Sequence, residues 1–598
     1  MKQIARSLLL FGSLALCPLL DHQPTRAQIA SDGTLSTTVI TFDGSNFIIN
    51  DGNRAGSNLF HSFSEFSVPT NGSAFFNNAF DVQNIINRVT GGSVSNIDGF
   101  ILANGSANLF LLNPAGIIFG PNASLFIGGS FLGSTADSLV FPEGEFSATD
   151  TQTPPLLSIN APIGLNFRDN PAPIENNSTA SADFNPLPSF DDNLFGLRVR
   201  DGKSFVLAGG DMTANGGGIV AFGGRIELGA IAEEGTVGIN LDGDNLSLSI
   251  PDDLQRADVS LTNGAGFLVS GAGGGDIAIA AQNINILENS RLNAGIFSGL
   301  GSPDARAGDI VLNALEAITV DSGLIVNSVR NNGVGDGGDI NIEARSLDLA
   351  NGGQVAVLMF GQGNTGNLTV RASESIRLNG GDTGAFSGLF AQIGQTGKGS
   401  VGDTIINTER LSINNGGQVA VVTFGQGNTG SLTVRASESI EISGRGEFPS
   451  GLFNEVGSGA IGNSGELNVE TDNLTVSNGG TVSVNTYGEG DAGNLTIETE
   501  RFNVFNSQVS TSTFGEGNAG NLTVRASDSI ELSGELPDAR GGVGAPGGLL
   551  AQVDLDGEGR GGNLTIETQR LSISDGSKVQ VATFGQGDAG ELIIRASE

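Results

Sequence analysis

From residue 275 onward the chain alternates apolar and polar positions in short runs separated by Gly, Asn and Ser. In Leu368-Thr369-Val370-Arg371-Ala372 every second residue is apolar, and Ile376 and Leu378 continue the alternation on a second run. Val419, Val421 and Thr423 exemplify a third run, which ends in Phe424-Gly425-Gln426-Gly427. A period of two is the period of a β-strand. A Gly followed by a short polar residue, and usually by Leu or Ile, opens each unit, as in Gly308-Asp309-Ile310, Gly366-Asn367-Leu368, Gly493-Asn494-Leu495 and Gly520-Asn521-Leu522. These openings return with a floor near 28 residues and occasional additions, as in Gly534 to Gly548 after the second run. That spacing describes one structural unit that accepts insertions at a fixed place.

Three short strands in ~28 residues cannot bury an apolar face alone, but stacked units can. If each strand pairs with its equivalent in the next turn at ~4.8 Å, the inward Leu, Ile and Val form continuous ladders. The pattern therefore predicts a parallel β-helix, with the insertions projecting from one side. Leucine-rich repeats need a shorter unit, and an immunoglobulin-like array needs domains near ~100 residues.

The pattern also divides the chain. Residues 275–598 read as the repetitive stalk, at about 28 residues per coil. Residues 199–274 read as less regular coils, with Ser204-Phe205-Val206-Leu207 and Arg225-Ile226-Glu227-Leu228 as strands. Between 142 and 188 fall eight Pro, and Pro cannot donate to a strand ladder. Residues 142–198 are accordingly expected to be an excursion from the helix or a linker. The first 27 residues have the layout of a secretory signal peptide: Lys2 and Arg6, then an apolar stretch from Ser7 to Leu20, then small residues around Ala27. Cleavage after Ala27 would leave no Cys, so disulfides could not staple the exported chain. No later stretch reads as a membrane span.

Composition narrows the function. The chain of 598 residues carries a formal charge of −36, with 64 Asp and Glu against 28 Lys and Arg. That balance excludes nucleic acid as a partner, because phosphates need a basic face. It equally disfavours anionic lipid.

Residues 28–141 are rich in Asn, Gly and Phe. Their densest stretch, Asn108-Leu109-Phe110-Leu111-Leu112-Asn113-Pro114-Ala115-Gly116-Ile117-Ile118-Phe119-Gly120, reads as strand, tight turn, strand. With Asn58-Leu59-Phe60-His61-Ser62-Phe63 and Ser95-Asn96-Ile97-Asp98-Gly99, this stretch resembles the secretion domain of the filamentous haemagglutinin family, the exported partner in two-partner secretion. Asn113-Pro114-Ala115-Gly116 resembles that family's Asn-Pro-Asn-Gly turn, with Ala115 in place of the usual Asn, and Gly128-Gly129-Ser130-Phe131 is also in keeping with it. The resemblance implies an all-β, right-handed parallel β-helix with an N-terminal capped secretion domain. It further implies a dedicated outer-membrane β-barrel transporter, whose periplasmic domains recognise the secretion domain through a turn such as Asn113 to Gly116. The chain would pass through unfolded and wind up coil by coil outside, released or held at the cell surface.

Candidate chemistry is sparse. Once the signal is removed His61 is the only histidine, and it sits among Phe60, Phe63 and Phe66 as a structural residue. The carboxylate pairs Asp191-Asp192, Glu233-Glu234 and Asp252-Asp253 read as solvated. The runs at Phe360, Phe424, Tyr487, Phe514 and Phe584 faintly resemble calcium-binding nonapeptides but recur too far apart, and corner turns are the plainer reading. Asn at the strand starts, as in Asn367-Leu368-Thr369, suggests a ladder between coils. Arg371, Arg435, Arg525 and Arg595 suggest an outward column with acids beside it. No enzyme activity, cofactor or metal is expected. The function expected is a secreted β-helical adhesin or cell-surface structural protein, with cell-surface glycans or other cells as partners. The alternative is an exported β-helical polysaccharide lyase or glycoside hydrolase. The last residues, Gly590 to Glu598, stop one strand into a unit, which reads as truncation or as end-to-end self-association.

Overall fold

The computed structural model describes residues 28–152, 154–182, 194–243, 245–381, 386–444, 448–536 and 547–598. The expected signal peptide lies outside them. No helix occurs among the described residues, and the strands stack as a parallel β-helix.

Between Ile340 and Thr583 each coil of the stalk has one long strand of 11 or 12 residues and one of six. Leu368–Asn379 is followed by Gly388–Ile393, and Thr404–Asn414 by Gln418–Thr423. The first two short runs of the sequence pattern are thus a single strand with a bend. Eleven- and twelve-residue strands pair in register on both sides of that bend, with the odd residue absorbed as an irregularity between Arg371 and Ser375. A third contact runs through single bridges, Gln362 to Lys398 to Gln426 to Ile461 to Glu489. Leu368, Thr404, Leu432, Leu467, Leu495, Leu522 and Leu564 lie in register. These seven are at most 1% exposed, so the inward ladders form the core. The insertions at 380–387, 444–450 and 534–547 all fall between a long strand and the following six-residue strand.

Toward the N-terminus the same coil is built from separate pieces. Asn58–Phe66, Asn84–Val89, Asn108–Leu112, Phe131–Ser134, Ser204–Gly209 and Arg225–Ala230 pair in parallel as one face. Ser95–Ile97, Ile117–Phe119, Ile174–Asn176, Met212–Asn215 and Val259–Thr262 form a second. Both faces run into Asp276–Leu287, whose first half pairs with Arg225–Ala230 and whose second half pairs with Val259–Thr262. At the N-terminal end the parallel order stops. Ile29–Ser31 and Asn53–Ala55 pair antiparallel with Asn58–Phe66, and Thr37–Thr41 pairs antiparallel with Asn46–Asp51.

A separate antiparallel sheet, Ser138–Phe141, Gly144–Ser147, Gly164–Phe167, Gly235–Asp242 and Asn245–Ser249, lies outside the coil. It encloses a second apolar cluster with Phe60, Ile86, Phe110, Leu132 and Val206, which point outward from the first face. This explains why Asn108–Leu112 is an almost uninterrupted apolar run: both of its faces are covered. Residues 142–198 supply two strands of this sheet, then return to the coil at Ile174–Asn176 and Leu197–Arg198.

Candidate functional site

The strand Asn108–Leu112 delivers the chain to the turn Asn113 to Gly116. Asn113 is wholly buried. Its backbone N–H donates to the Ser134 carbonyl at 2.9 Å in the following coil. Its Nδ2 donates to the Ser93 carbonyl at 3.0 Å and to Ser95 Oγ at 2.9 Å in the preceding one. Its Oδ1 accepts the Ala115 N–H at 3.0 Å, and its carbonyl accepts the Gly116 N–H at 3.1 Å. The side chain therefore closes the turn as an Asx turn and pins it to its neighbours. Gly116 has φ 118°, and a Cβ there would stand 3.3 Å from the Pro173 carbonyl oxygen. Only Pro114 and Ala115 keep partial exposure. The four residues singled out in the sequence thus form one unit, and its accessible part is Pro114-Ala115.

The same domain buries polar groups near its cap. His61 is 1% exposed, stacks 6.0 Å from the Phe63 ring, and has its Nδ1 3.2 Å from Thr37 Oγ1. Burial lowers its pKa to about 4, against a weaker opposing pull from Asp51. Gly52 makes room for this ring, since a Cβ at that position would lie 2.7 Å from His61 Cε1. Arg88 is buried too. Its Nε donates to Ser62 Oγ at 2.8 Å, one Nη to Thr34 Oγ1 at 3.0 Å and the other to the Ser147 carbonyl. Its guanidinium lies 4.7 Å from the Phe146 ring centroid. Ser62 and Thr90 also donate to Asp32. Arg88 was not singled out by sequence reasoning, although a lone cation in Asn84-Ile85-Ile86-Asn87-Arg88-Val89, otherwise apolar and amide, is a readable signal.

Elsewhere, of the candidate acids, Glu234, Asp252 and Asp253 are exposed. Asp191-Asp192 lies outside the described residues. Glu233 Oε1 accepts the Gln255 N–H at 2.8 Å. Among the described residues no cluster of three His, Cys, Asp or Glu is placed to hold a metal. The Phe424 run is a corner, with Gln426 bridging to Lys398 and Ile461. A partly buried acid was not foreseen. Glu455, on the strand Gly451–Val456, is pushed up to about 7 by burial, and Ser483 Oγ donates to it at 2.6 Å.

Residues 27–279 match the family model of the TPS secretion domain, TPS standing for two-partner secretion. The chain carries a TPS secretion domain. No curated protein matches the chain. Among solved structures, the HMW1 secretion domain from Haemophilus influenzae is similar at 16% identity and TM-score 0.33, over 95% of this chain and 99% of that one. A filamentous hemagglutinin secretion domain is similar at 14% identity and TM-score 0.29, over 57% of this chain and 93% of that one. The protein is a β-helical exoprotein of two-partner secretion, and its TPS secretion domain implies a partner transporter in the outer membrane. The TPS secretion domain holds the turn at Asn113, the His61 and Arg88 clusters, and the whole of the outer antiparallel sheet.

Proposed function

We propose that this exoprotein acts as an adhesin or surface structural rod, presented at the cell surface after export through its partner transporter. The observation that carries this reading is continuity. The first face of the secretion domain runs without a break from Asn58 through Asp276–Leu287 into the long strands of the stalk. The domain that addresses the chain for export is therefore also the first length of the rod. The insertions at one corner of the coil are the parts that contact glycans or other cells. Transporter recognition is assigned to the Asn113–Gly116 turn, with Pro114-Ala115 as its contact surface and Asn113 as its support.

The test pairs export with adhesion. Secretion is measured with and without the neighbouring transporter, for the wild type and for a variant with Pro114→Ser and Ala115→Glu. Export that is independent of the transporter, or untouched by the double substitution, defeats the corresponding part of the proposal. For adhesion, residues 534–547 are replaced by the direct connection that joins Phe505 to Gln508 one coil earlier. Binding to cells should fall while the rod stays folded, and unchanged binding would remove this insertion from the contact surface.

A further inference from the structure

At the capped end of the rod, Thr37–Thr41 is the outermost strand of a five-stranded sheet that continues through Asn46–Asp51, Ser73–Phe76, Phe100–Ala103 and Ser124–Phe126. Hydrogen bonds fix which of its backbone groups face that sheet. The Asn77 N–H donates to the Ile49 carbonyl at 2.9 Å, so the odd residues of Asn46–Asp51 face Ser73–Phe76 and the even ones face Thr37–Thr41. In keeping with this, the Gly52 N–H donates to the Ser36 carbonyl at 3.5 Å. By the same alternation Thr38 and Ile40 bond to Asn46–Asp51, and the backbone N–H and C=O of Thr37, Val39 and Thr41 face the other way. No strand among the described residues pairs with that edge.

Nothing in the strand guards it. Sheet edges are commonly blunted by charge, by Pro, or by being too short to serve as a template. Neighbouring edges follow that rule: Ile29–Ser31 is three residues long and adjoins Asp32, Asn53–Ala55 carries Arg54, and Gly144–Ser147 carries Glu145. From Thr34 to Phe42 there is no charge, no Pro and no Gly. Thr37-Thr38-Val39-Ile40-Thr41 is β-branched throughout, the side-chain type that best suits a strand. The outer face of the sheet leads to the same place. Ile40, Ile48, Phe75, Leu102 and Phe126 share one line of register across the sheet, and Ile40, where that line meets the edge, is 44% exposed.

We infer that Thr37–Thr41 pairs antiparallel with the same strand of a second copy of this chain, joining two rods at their capped ends. An edge that meets its own copy about a two-fold axis satisfies both at once. With Val39 on the axis, Thr37 of each copy lies opposite Thr41 of the other, and every edge-facing N–H and C=O finds a partner. Ile40 stands diagonally across from its counterpart, so the two apolar lines meet. Asp43, the first charge beyond the strand, falls opposite Leu35 of the other copy, so no like charges oppose each other. A five-residue edge covers far less than the ~800 Å² per partner of a standard stable interface. The dimer is therefore weak, forming at about 10–100 μM or where exported chains are crowded. The pairing depends on neither the transporter nor adhesion, and it sets the two stalks on opposite sides of one joint.

The test is sedimentation equilibrium of the full secreted chain from about 1 to about 200 μM. The average mass should rise from one chain toward two and stop there. Thr41→Pro removes an edge-facing N–H and no backbone bond to Asn46–Asp51, and Ile40→Lys sets two cations across the axis. Both variants should stay monomeric, with Asn84–Val89 as protected from hydrogen exchange as in the wild type. The register is read separately. Residue 38 of one copy and residue 40 of the other form a non-hydrogen-bonded pair, whose Cα separation of about 4.5 Å suits a disulfide. The chain has no Cys beyond Cys17, so a mixture of Thr38→Cys and Ile40→Cys chains should cross-link on mild oxidation, and either variant alone should not. A single-chain mass at the highest concentration, a mass that climbs past two chains, or association that survives both substitutions overturns the inference. So does cross-linking of either Cys variant alone as readily as the mixture.

Discussion

Asn84–Val89 in the secretion domain and Leu368–Asn379 in the stalk occupy the same face of one solenoid, yet they are held by different means. Every residue of Asn84–Val89 is buried, because the coil core covers one side and the antiparallel sheet the other. Its polar members, Asn84, Asn87 and Arg88, donate inside to amide, carbonyl and hydroxyl partners. Leu368–Asn379 buries its inward residues and leaves Arg371, Ser373, Arg377 and Asn379 exposed. The stalk meets water with charges that pair between coils: Arg410 with Glu374 at 3.3 Å and Glu438 at 2.6 Å, and Arg525 with Glu498 at 3.1 Å and Glu567 at 3.3 Å. The lesson is that burying the outer face of a coil lets it carry unique polar anchors. A solvated face can only repeat pairs that are individually weak.

The largest expected effect follows from that contrast. Arg88→Ala removes three hydrogen bonds and the contact with the Phe146 ring from a buried site and takes the cation from beside Asp32, and should cost about 3–5 kcal/mol in denaturant unfolding of the secretion domain. A loss below about 1 kcal/mol would show that the cluster is solvated after all.

Of nearly equal size, but confined to the stalk, is Gly427→Ala. A Cβ at residue 427 would lie 1.4 Å from the Gly399 carbonyl oxygen, at φ 146°. The strain should exceed about 3 kcal/mol. Because repeats interact with their nearest neighbours, exchange should rise around 399–462 while the secretion domain keeps its protection. Uniform loss along the chain would contradict a quasi-one-dimensional rod.

The two regions should also respond oppositely to acid. The pKa of folded His61, about 4, lies below the ordinary 6.5, so the unfolded chain takes up the proton first. Its contribution is full above about pH 6.5 and is lost as the pH falls toward 4, by about 3 kcal/mol. Folded Glu455, raised from 4.5 to about 7, keeps its proton longer than the unfolded chain. Its contribution is full below about pH 4.5 and is lost as the pH rises toward 7, by a similar amount. Exchange compared at pH 7 and pH 5 should therefore show weaker protection at Asn58–Phe66 and stronger protection at Gly451–Val456 in acid. His61→Phe and Glu455→Gln should each abolish one half of that pattern.

Asn113→Ala, which removes three side-chain hydrogen bonds in a buried corner, should cost about 2 kcal/mol. Thermal unfolding that does not move would mean that water replaces the amide. Smallest of all, Arg525→Ala on the stalk surface should leave unfolding unchanged within error.

Much of this was readable without coordinates. The alternation in Leu368 to Ala372, the recurring Gly-Asn-Leu openings and the ~28-residue return could be satisfied only by stacked strands whose inward residues coincide. The Asn ladder, in which Asn367 donates to Asp339 at 3.2 Å and accepts the Asp403 N–H at 3.0 Å, and the corner role of Phe424 to Gly430 follow from the same repetition. Even so, 368–379 reads as two strands and forms one, because the bend keeps its ladder hydrogen bonds and absorbs a single residue. The Arg positions read as one column, whereas in register Arg435 meets Glu470 and Arg525 meets Glu498 and Glu567, so each column mixes signs. The sign of a neighbour is not visible until coils are aligned.

The sequence by itself determined the repeat, the strand period, the inward Leu, Ile and Val, and the motif that marks the N-terminal region. Each of these depends on residues within one coil or on identity between coils. Only the tertiary structure decided what lies over the first face of the secretion domain. Ser138–Phe141, Gly164–Phe167 and Gly235–Asp242 come from distant stretches of chain and meet only in space. That sheet is why Phe110 is buried and why Arg88 is anchored at Ser147. Periodicity reports which residues must leave water, whereas the partner that covers them is set by long-range packing, which carries no period.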